Sequence, residues 1–200
     1  MTAPRHAAVL LAAGGSRRLG VPKQLLLIDG VPLVRRAALA ALATAPAQAV
    51  VVVGAGGDAV YAAVADLAIA RVECDRWEEG ISASIRAGLQ ALVGDIDAAL
   101  FLVCDQPALD ASHLRKLVEC WRATSQRAAA SAYGGVLGVP AILPCGWFDE
   151  LRALTGDRGA RDLLRSRPEE AVAVPAPALA HDVDLPGDLD RQRKAGLIHD

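Results

Sequence analysis

The chain has 200 residues, of which 53% are hydrophobic and 22% charged, with a formal net charge of −2. That length and apolar content suit a single globular domain over residues 1–200, and no linker-like stretch divides them. The near-neutral balance excludes bulk nucleic-acid binding, and no apolar run approaches the ~18 residues that a bilayer-spanning helix needs.

Charge is nonetheless unevenly placed. Residues 1–40 carry six Lys/Arg against one acid, whereas residues 70–110 carry eight acids against Arg71, Arg76 and Arg86. A basic first segment and an acidic later one suit a site that holds phosphates on one side and a metal on the other. Cys74, Cys104, Cys120 and Cys145 lack the close spacing of a zinc site or a disulfide framework, so they read as reduced thiols of a cytoplasmic protein. Arg5 before an alanine-rich run imitates a signal peptide, but cleavage there would discard the strand that feeds the next feature.

In chain order, residues 7–12 are apolar throughout and predict a central strand covered on both faces. They run into Gly14-Gly15-Ser16-Arg17-Arg18-Leu19-Gly20-Val21-Pro22-Lys23, a loop with three glycines, a hydroxyl and three cations. Glycines let backbone N–H groups approach an anion, and a strand followed by such a loop is a common phosphate cradle. Beyond it, the spacing predicts a helix over 31–44, a strand over 49–53 and a helix over 58–67. A short strand over 71–74, a polar loop, a helix over 82–93 and a buried strand over 98–103 follow. Helix 114–121, strands 128–133 and 139–143, and helices 147–154 and 159–164 come next. Residues 171–174 and the vicinity of 182–184 predict strands, and 186–194 a closing helix. Strand and helix alternate through residue 124, which predicts an α/β protein with a doubly wound, mostly parallel sheet. The consecutive strands after that predict a small antiparallel section in the C-terminal half.

Gly15 and Gly20 have Walker A spacing, but Lys23 comes three residues after Gly20 and no Ser/Thr follows it, so a P-loop ATPase is not indicated. Residues 54–59, Gly-Ala-Gly-Gly-Asp-Ala, match a dinucleotide fingerprint after a strand, with Asp75 about twenty residues on. The competing reading of that segment is a tight turn with Asp58 near a helix start.

The segment from Leu11 to Leu26, L-A-A-G-G-S-R-R-L-G-V-P-K-Q-L-L, resembles the signature of the MobA-like NTP transferases, closest to the molybdenum-cofactor cytidylyltransferase branch. Leu19 replaces the usual Met. Trp77-Glu-Glu-Gly80-Ile-Ser82-Ala-Ser84, Cys104-Asp105-Gln106-Pro107, Gly156-Asp157-Arg158-Gly159-Ala160-Arg161 and Asp182-Val-Asp184-Leu-Pro186 resemble further family segments in the same order.

The resemblance implies a Rossmann-like nucleotidyltransferase fold. It also implies transfer of a nucleotidyl group from an NTP to a phosphorylated acceptor, molybdopterin in this branch, with release of pyrophosphate. On that reading Ala12, Ala13, Gly14, Gly15, Ser16 and Gly20 cradle the triphosphate, with Arg18 and Lys23 as its cations. Asp105, just past an apolar strand, holds Mg²⁺, and Asp182 or Asp184 adds a second carboxylate. Gly80, Ser82 and Ser84 meet the nucleotide, or the serines cap a helix. Asp157, Arg158 and Arg161 meet the acceptor or close the site. The family's L-A-A-G opening goes with CTP and L-A-G-G with GTP, so Ala12-Ala13-Gly14 favours CTP. Val139 stands where the family usually carries His, and Cys74 where Asn is common; both changes bear on the acceptor. A transient contact with a molybdenum enzyme or its maturation factor is part of the same expectation. Two alternatives stand beside it: a non-catalytic protein delivering a nucleotide or cofactor to an oxidoreductase, and a dinucleotide binder using Gly54–Gly57.

Overall fold

The computed structural model describes residues 3–16, 22–124, 126–180, 182, 187, 188, 191 and 194. In chain order its elements are β1 (His6–Leu11), β2 (Leu27–Ile28), β3 (Val31–Pro32), α1 (Leu33–Leu42), β4 (Gln48–Val53), α2 (Gly57–Ala62) and β5 (Ala70–Glu73). Next come α3 (Ile81–Gln90), β6 (Ala98–Val103), α4 (Ala111–Thr124), β7 (Ala128–Tyr133) and β8 (Val136–Pro144). The last are α5 (Phe148–Ala153), α6 (Ala160–Ser166) and β9 (Ala171–Pro175). Seven strands form one sheet in the order β5-β4-β1-β6-β8-β7-β9.

The unbroken apolar runs in β1, β4 and β6 follow from where they sit. Side chains alternate across a strand, so a strand covered on both faces must be apolar at every position. Ala8 and Leu10 of β1 enter one core with Val51 and Val53, Leu100 and Leu102, under α1 and α4. Val9 and Leu11 enter the other with Val50 and Val52, Ala99 and Phe101, under α3, α5 and α6. Each CH₂ so buried contributes about 0.8 kcal/mol, and both cores lock the register because a slip of one residue would exchange them.

β1 is parallel to β4 and β6, and β4 to β5. β8 is antiparallel to β6 and β7, and β9 returns parallel to β7. A doubly wound, mostly parallel sheet with an antiparallel section is therefore what the chain forms. Several boundaries differ from the sequence expectation: α3 ends at Gln90 rather than 93, α4 spans Ala111–Thr124 rather than 114–121, and three others have a visible cause. The helix expected from residue 31 starts at Leu33, because Val31–Pro32 pairs with Leu27–Ile28 across a turn in which Asp29 and Gly30 have φ of 52° and 72°. The helix expected over 58–67 ends at Ala62, and residues 63–68 continue as turns and bends. β8 begins at Val136, three residues early, because the Gly134-Gly135 turn lets it pair at once with Tyr133. The strand near 182–184 and the closing helix fall mostly outside the described residues.

The parallel strands bring their carboxyl ends to one edge. In the register of β1 and β6, Leu11 faces Val103, so the residues from Ala12 onward and Asp105 emerge side by side.

Candidate active site

Beyond that edge lies a cavity of about 330 Å³ lined by Ala12 to Gly15, Lys23, Trp77, Gly80, Ser84, Cys104, Asp105 and Asp157. Its floor is the glycine loop, held from below by Gln24. The Gln24 carboxamide is buried and donates to Ala12 O at 2.9 Å and to Gly14 O at 2.6 Å. Its Oε1 accepts from Ser16 Oγ at 3.3 Å, and Ser16 Oγ in turn accepts the Lys23 N–H at 2.9 Å. The loop and the 3-10 turn Lys23–Leu25 thus close on each other, with Ser16 at a φ of 48°.

Trp77 forms one wall, packed against two glycine turns. A Cβ at Gly15 would lie 2.8 Å from the indole, and one at Gly54 would lie 2.7 Å from Trp77 Cγ. Only hydrogen fits at either position. The requirement at Gly54 is therefore contact with Trp77, and the indole fills the place a dinucleotide pyrophosphate would need there. Gly56, at φ 65°, caps α2, and Asp58 pairs with Arg71 at 2.7 Å. The segment is a tight turn, and the dinucleotide reading of Gly54–Gly57 is set aside.

Gly80 joins a second wall. Its φ of 103° and ψ of −178° suit glycine, and a Cβ would meet Gly156 C and O at 2.4 Å. Ser82 N–H donates to Gly156 O at 3.2 Å, and Arg86 Nη1 donates to Leu154 O at 2.5 Å. These contacts fix the 154–159 loop and bring Asp157 to the cavity.

Asp105 carries the charge. One carboxylate oxygen, Oδ2, pairs with Lys23 Nζ across 82 residues of sequence. The other, Oδ1, is buried and has no hydrogen-bond partner among the described residues. Capping of α4 is done elsewhere, by Asp110 Oδ1, which accepts the His113 N–H at 2.8 Å. Beside Asp105, burial together with the Asp105 charge pushes the Cys104 thiol up to about 12, so it stays neutral. Gln106, buried, donates through Nε2 toward Val139 O at 3.1 Å, Tyr133 Oη at 3.3 Å and Leu179 O at 3.3 Å. It thereby ties Asp105 to the segment that leads to Asp182. Burial raises the Tyr133 phenol above its ordinary pKa, and the fields of Asp182 and Asp105 add to this while the Gln106 hydrogen bond and Arg161 oppose it. Both carboxylates and Arg161 therefore act on Tyr133.

A buried carboxylate oxygen with no protein donor fits a hard divalent cation, which takes one or two carboxylates and completes its shell with phosphates and water. Among the described residues no group of three or more His, Cys, Asp or Glu side chains could hold a metal by itself. Asp105, with Asp182 near the same phenol, is the donor set on offer.

The structure thus gathers Ala12, Ala13, Gly14, Gly15, Lys23, Gly80, Ser84, Asp105 and Asp157 around one cavity. Ser16 braces the loop. Ser82 is different: fully buried, with Oγ unpartnered, it neither lines the cavity nor caps α3, whose N-cap is Gly80. It packs on the inner face of the helix. Arg158 and Arg161 are exposed. Arg18, Gly20 and Asp184 lie outside the described residues. Gln24 and Tyr133 had not been singled out. The available signal for Gln24 was a polar residue opening an otherwise apolar run.

Residues 8–172 match the family model of the MobA-like NTP transferase domain. The chain belongs to that family. Its relatives include the nicotine blue oxidoreductase of Paenarthrobacter nicotinovorans, 33% identical over 80% of this chain and 81% of that one. The purine catabolism protein PucB of Bacillus subtilis is 28% identical over 98% and 99%. Among solved structures, Rv0371c of Mycobacterium tuberculosis superimposes with a TM-score of 0.83 at 28% identity, covering 96% of this chain and 100% of that one. Its complex with manganese gives 0.78 at 25% identity, covering 96% and 99%. No described helix is long and apolar enough to cross a membrane.

Proposed function

We propose that this NTP transferase moves a CMP group from CTP to a phosphorylated acceptor, with molybdopterin as the first acceptor to test, in a Mg²⁺-dependent reaction. The carrying observation is Asp105, with one oxygen on Lys23 and the other buried and open, beside a glycine loop on the neighbouring strand. In the reaction an acceptor phosphate oxygen bonds to the α-phosphorus, the bond from the α-phosphorus to its bridging oxygen breaks, and pyrophosphate leaves with that electron pair. A bound divalent cation would neutralise charge on the triphosphate and polarise the α-phosphoryl group. The loop N–H groups hold the triphosphate in line, and Lys23 supplies a compact positive charge for the leaving pyrophosphate. Arg158 and Arg161, exposed just after Asp157 at the cavity, are the cations proposed to receive the acceptor phosphate.

The test is pyrophosphate release from each of the four NTPs with Mg²⁺ and acceptor. CTP should be preferred, and Asp105→Ala should lower turnover by at least about 100-fold. Normal turnover in that variant would refute the assignment. A second reading rests on the relative named as an oxidoreductase: the same cavity would then serve redox chemistry, directly or by delivering a cofactor. Thermal stabilisation by NADH or FMN but not by Mg-CTP would favour it.

A further inference from the structure

The buried carboxamide of Gln24 has a consequence for the loop above it, one that rests on the reading of this cavity as a triphosphate site. In a trans peptide the C=O of one residue and the N–H of the next point in opposite directions. Gln24 Nε2 takes the carbonyls of Ala12 and Gly14. The N–H groups of Ala13 and Gly15 therefore point away from the carboxamide, and among the described residues neither has a protein acceptor. All four loop residues line the cavity, and Trp77 packs against Gly15.

We infer that Gln24 is a positioning residue for the triphosphate: it sets two alternate peptide planes so that the Ala13 and Gly15 N–H groups are presented to phosphate oxygens. Both donors of one primary amide are used, which no other uncharged side chain of this length supplies. Oε1 is held by Ser16 Oγ, which fixes the amide against flipping. The neighbouring Lys23 is carried on the same turn, so the backbone donors and the side-chain cation are set by one anchor.

Gln24→Met keeps the length and volume without the donors; Gln24→Glu keeps the shape but sets oxygen against both carbonyls. The probes are inorganic tripolyphosphate and Mg-CTP, titrated calorimetrically into folded protein. The Gly15 amide resonance is followed by NMR in the same titrations. Each variant should remain folded and lose about 10- to 100-fold in affinity for both probes, the size of one or two charge-assisted hydrogen bonds. The Gly15 shift seen with tripolyphosphate in the wild type should disappear. A purely structural role would lower the melting temperature and leave affinity and shift unchanged. Folded variants that bind as the wild type does, with the Gly15 shift retained, overturn this inference alone. If Gln24→Met fails to fold, the same readouts in Gln24→Glu decide. Wild-type protein that binds neither tripolyphosphate nor any NTP overturns it together with the proposed function.

Discussion

Replacing Gly80 by alanine separates backbone strain from loss of contact at the cavity wall. Gly80 occupies φ 103°, ψ −178°, a region essentially restricted to glycine, where another residue costs about 1–3 kcal/mol. The new methyl would also sit 2.4 Å from Gly156 C and O and 2.6 Å from Asp157 Oδ1, so the 156–157 turn must retreat by about 1 Å to reach ordinary contact. Two of those three atoms are backbone, which cannot rotate out of the way. Gly156→Ala is the natural control: its φ is 62° and nothing lies within 4 Å of the added Cβ. It should cost only the left-handed penalty, about 1 kcal/mol. The expected destabilisation for Gly80→Ala is about 3 kcal/mol, read by urea unfolding. If Asp157 meets the acceptor as proposed, acceptor affinity should fall as well, since Asp157 moves with the turn. Equal stability of the two variants would refute the reasoning, because it would mean that the contact between Gly80 and the turn carries nothing.

Lys23→Met should raise the affinity for Mn²⁺ alone by about tenfold, because a competing cation leaves a carboxylate that is still partly solvated, while affinity for Mg-CTP falls. Electron paramagnetic resonance titration of Mn²⁺ measures the first effect, and unchanged or weaker Mn²⁺ binding would contradict it. His6 predicts a pH dependence of stability. Its Nε2–H donates to Thr44 Oγ1, whose own proton goes to Ala41 O, while burial and then Arg122 lower its pKa to about 4. The unfolded chain binds that proton below about 6.5 and the folded chain does not, so stability falls as pH drops from 6.5 toward 4 and levels off below. The full window is worth about 3 kcal/mol, and the slope should be smaller in denaturation curves of His6→Gln, where His113, also lowered by burial, still contributes.

The sheet was legible because covered strands are apolar at every position, as in residues 7–12, 49–53 and 98–103, and because the order of strands and helices leaves few topologies. Asp105 was legible for a related reason: a lone carboxylate just past such a strand has no packing role there, and the next helix is capped by Asp110. The β2–β3 hairpin was missed although Asp29-Gly30 between short apolar pairs is a hairpin signal; the surrounding Leu and Ala run reads as helix. Gly54 and Ser82 show the opposite failure. A glycine needed for contact with a tryptophan and a serine tucked inside a helix look, as letters, like ligand-binding residues. Gln24 had no periodicity to betray it, since its partners are backbone carbonyls ten and twelve residues back.

Trp77 gives the molecule a built-in optical probe. Of its three tryptophans, Trp121 and Trp147 are buried by the Asp97 end of the sheet, where Asp97 precedes β6 and Pro144 ends β8. Trp77 alone lines the cavity of the glycine loop. Occupancy of that loop is thus registered by the emission of one indole against two that serve as an internal reference, and filling of the cavity can be followed in the unlabelled protein.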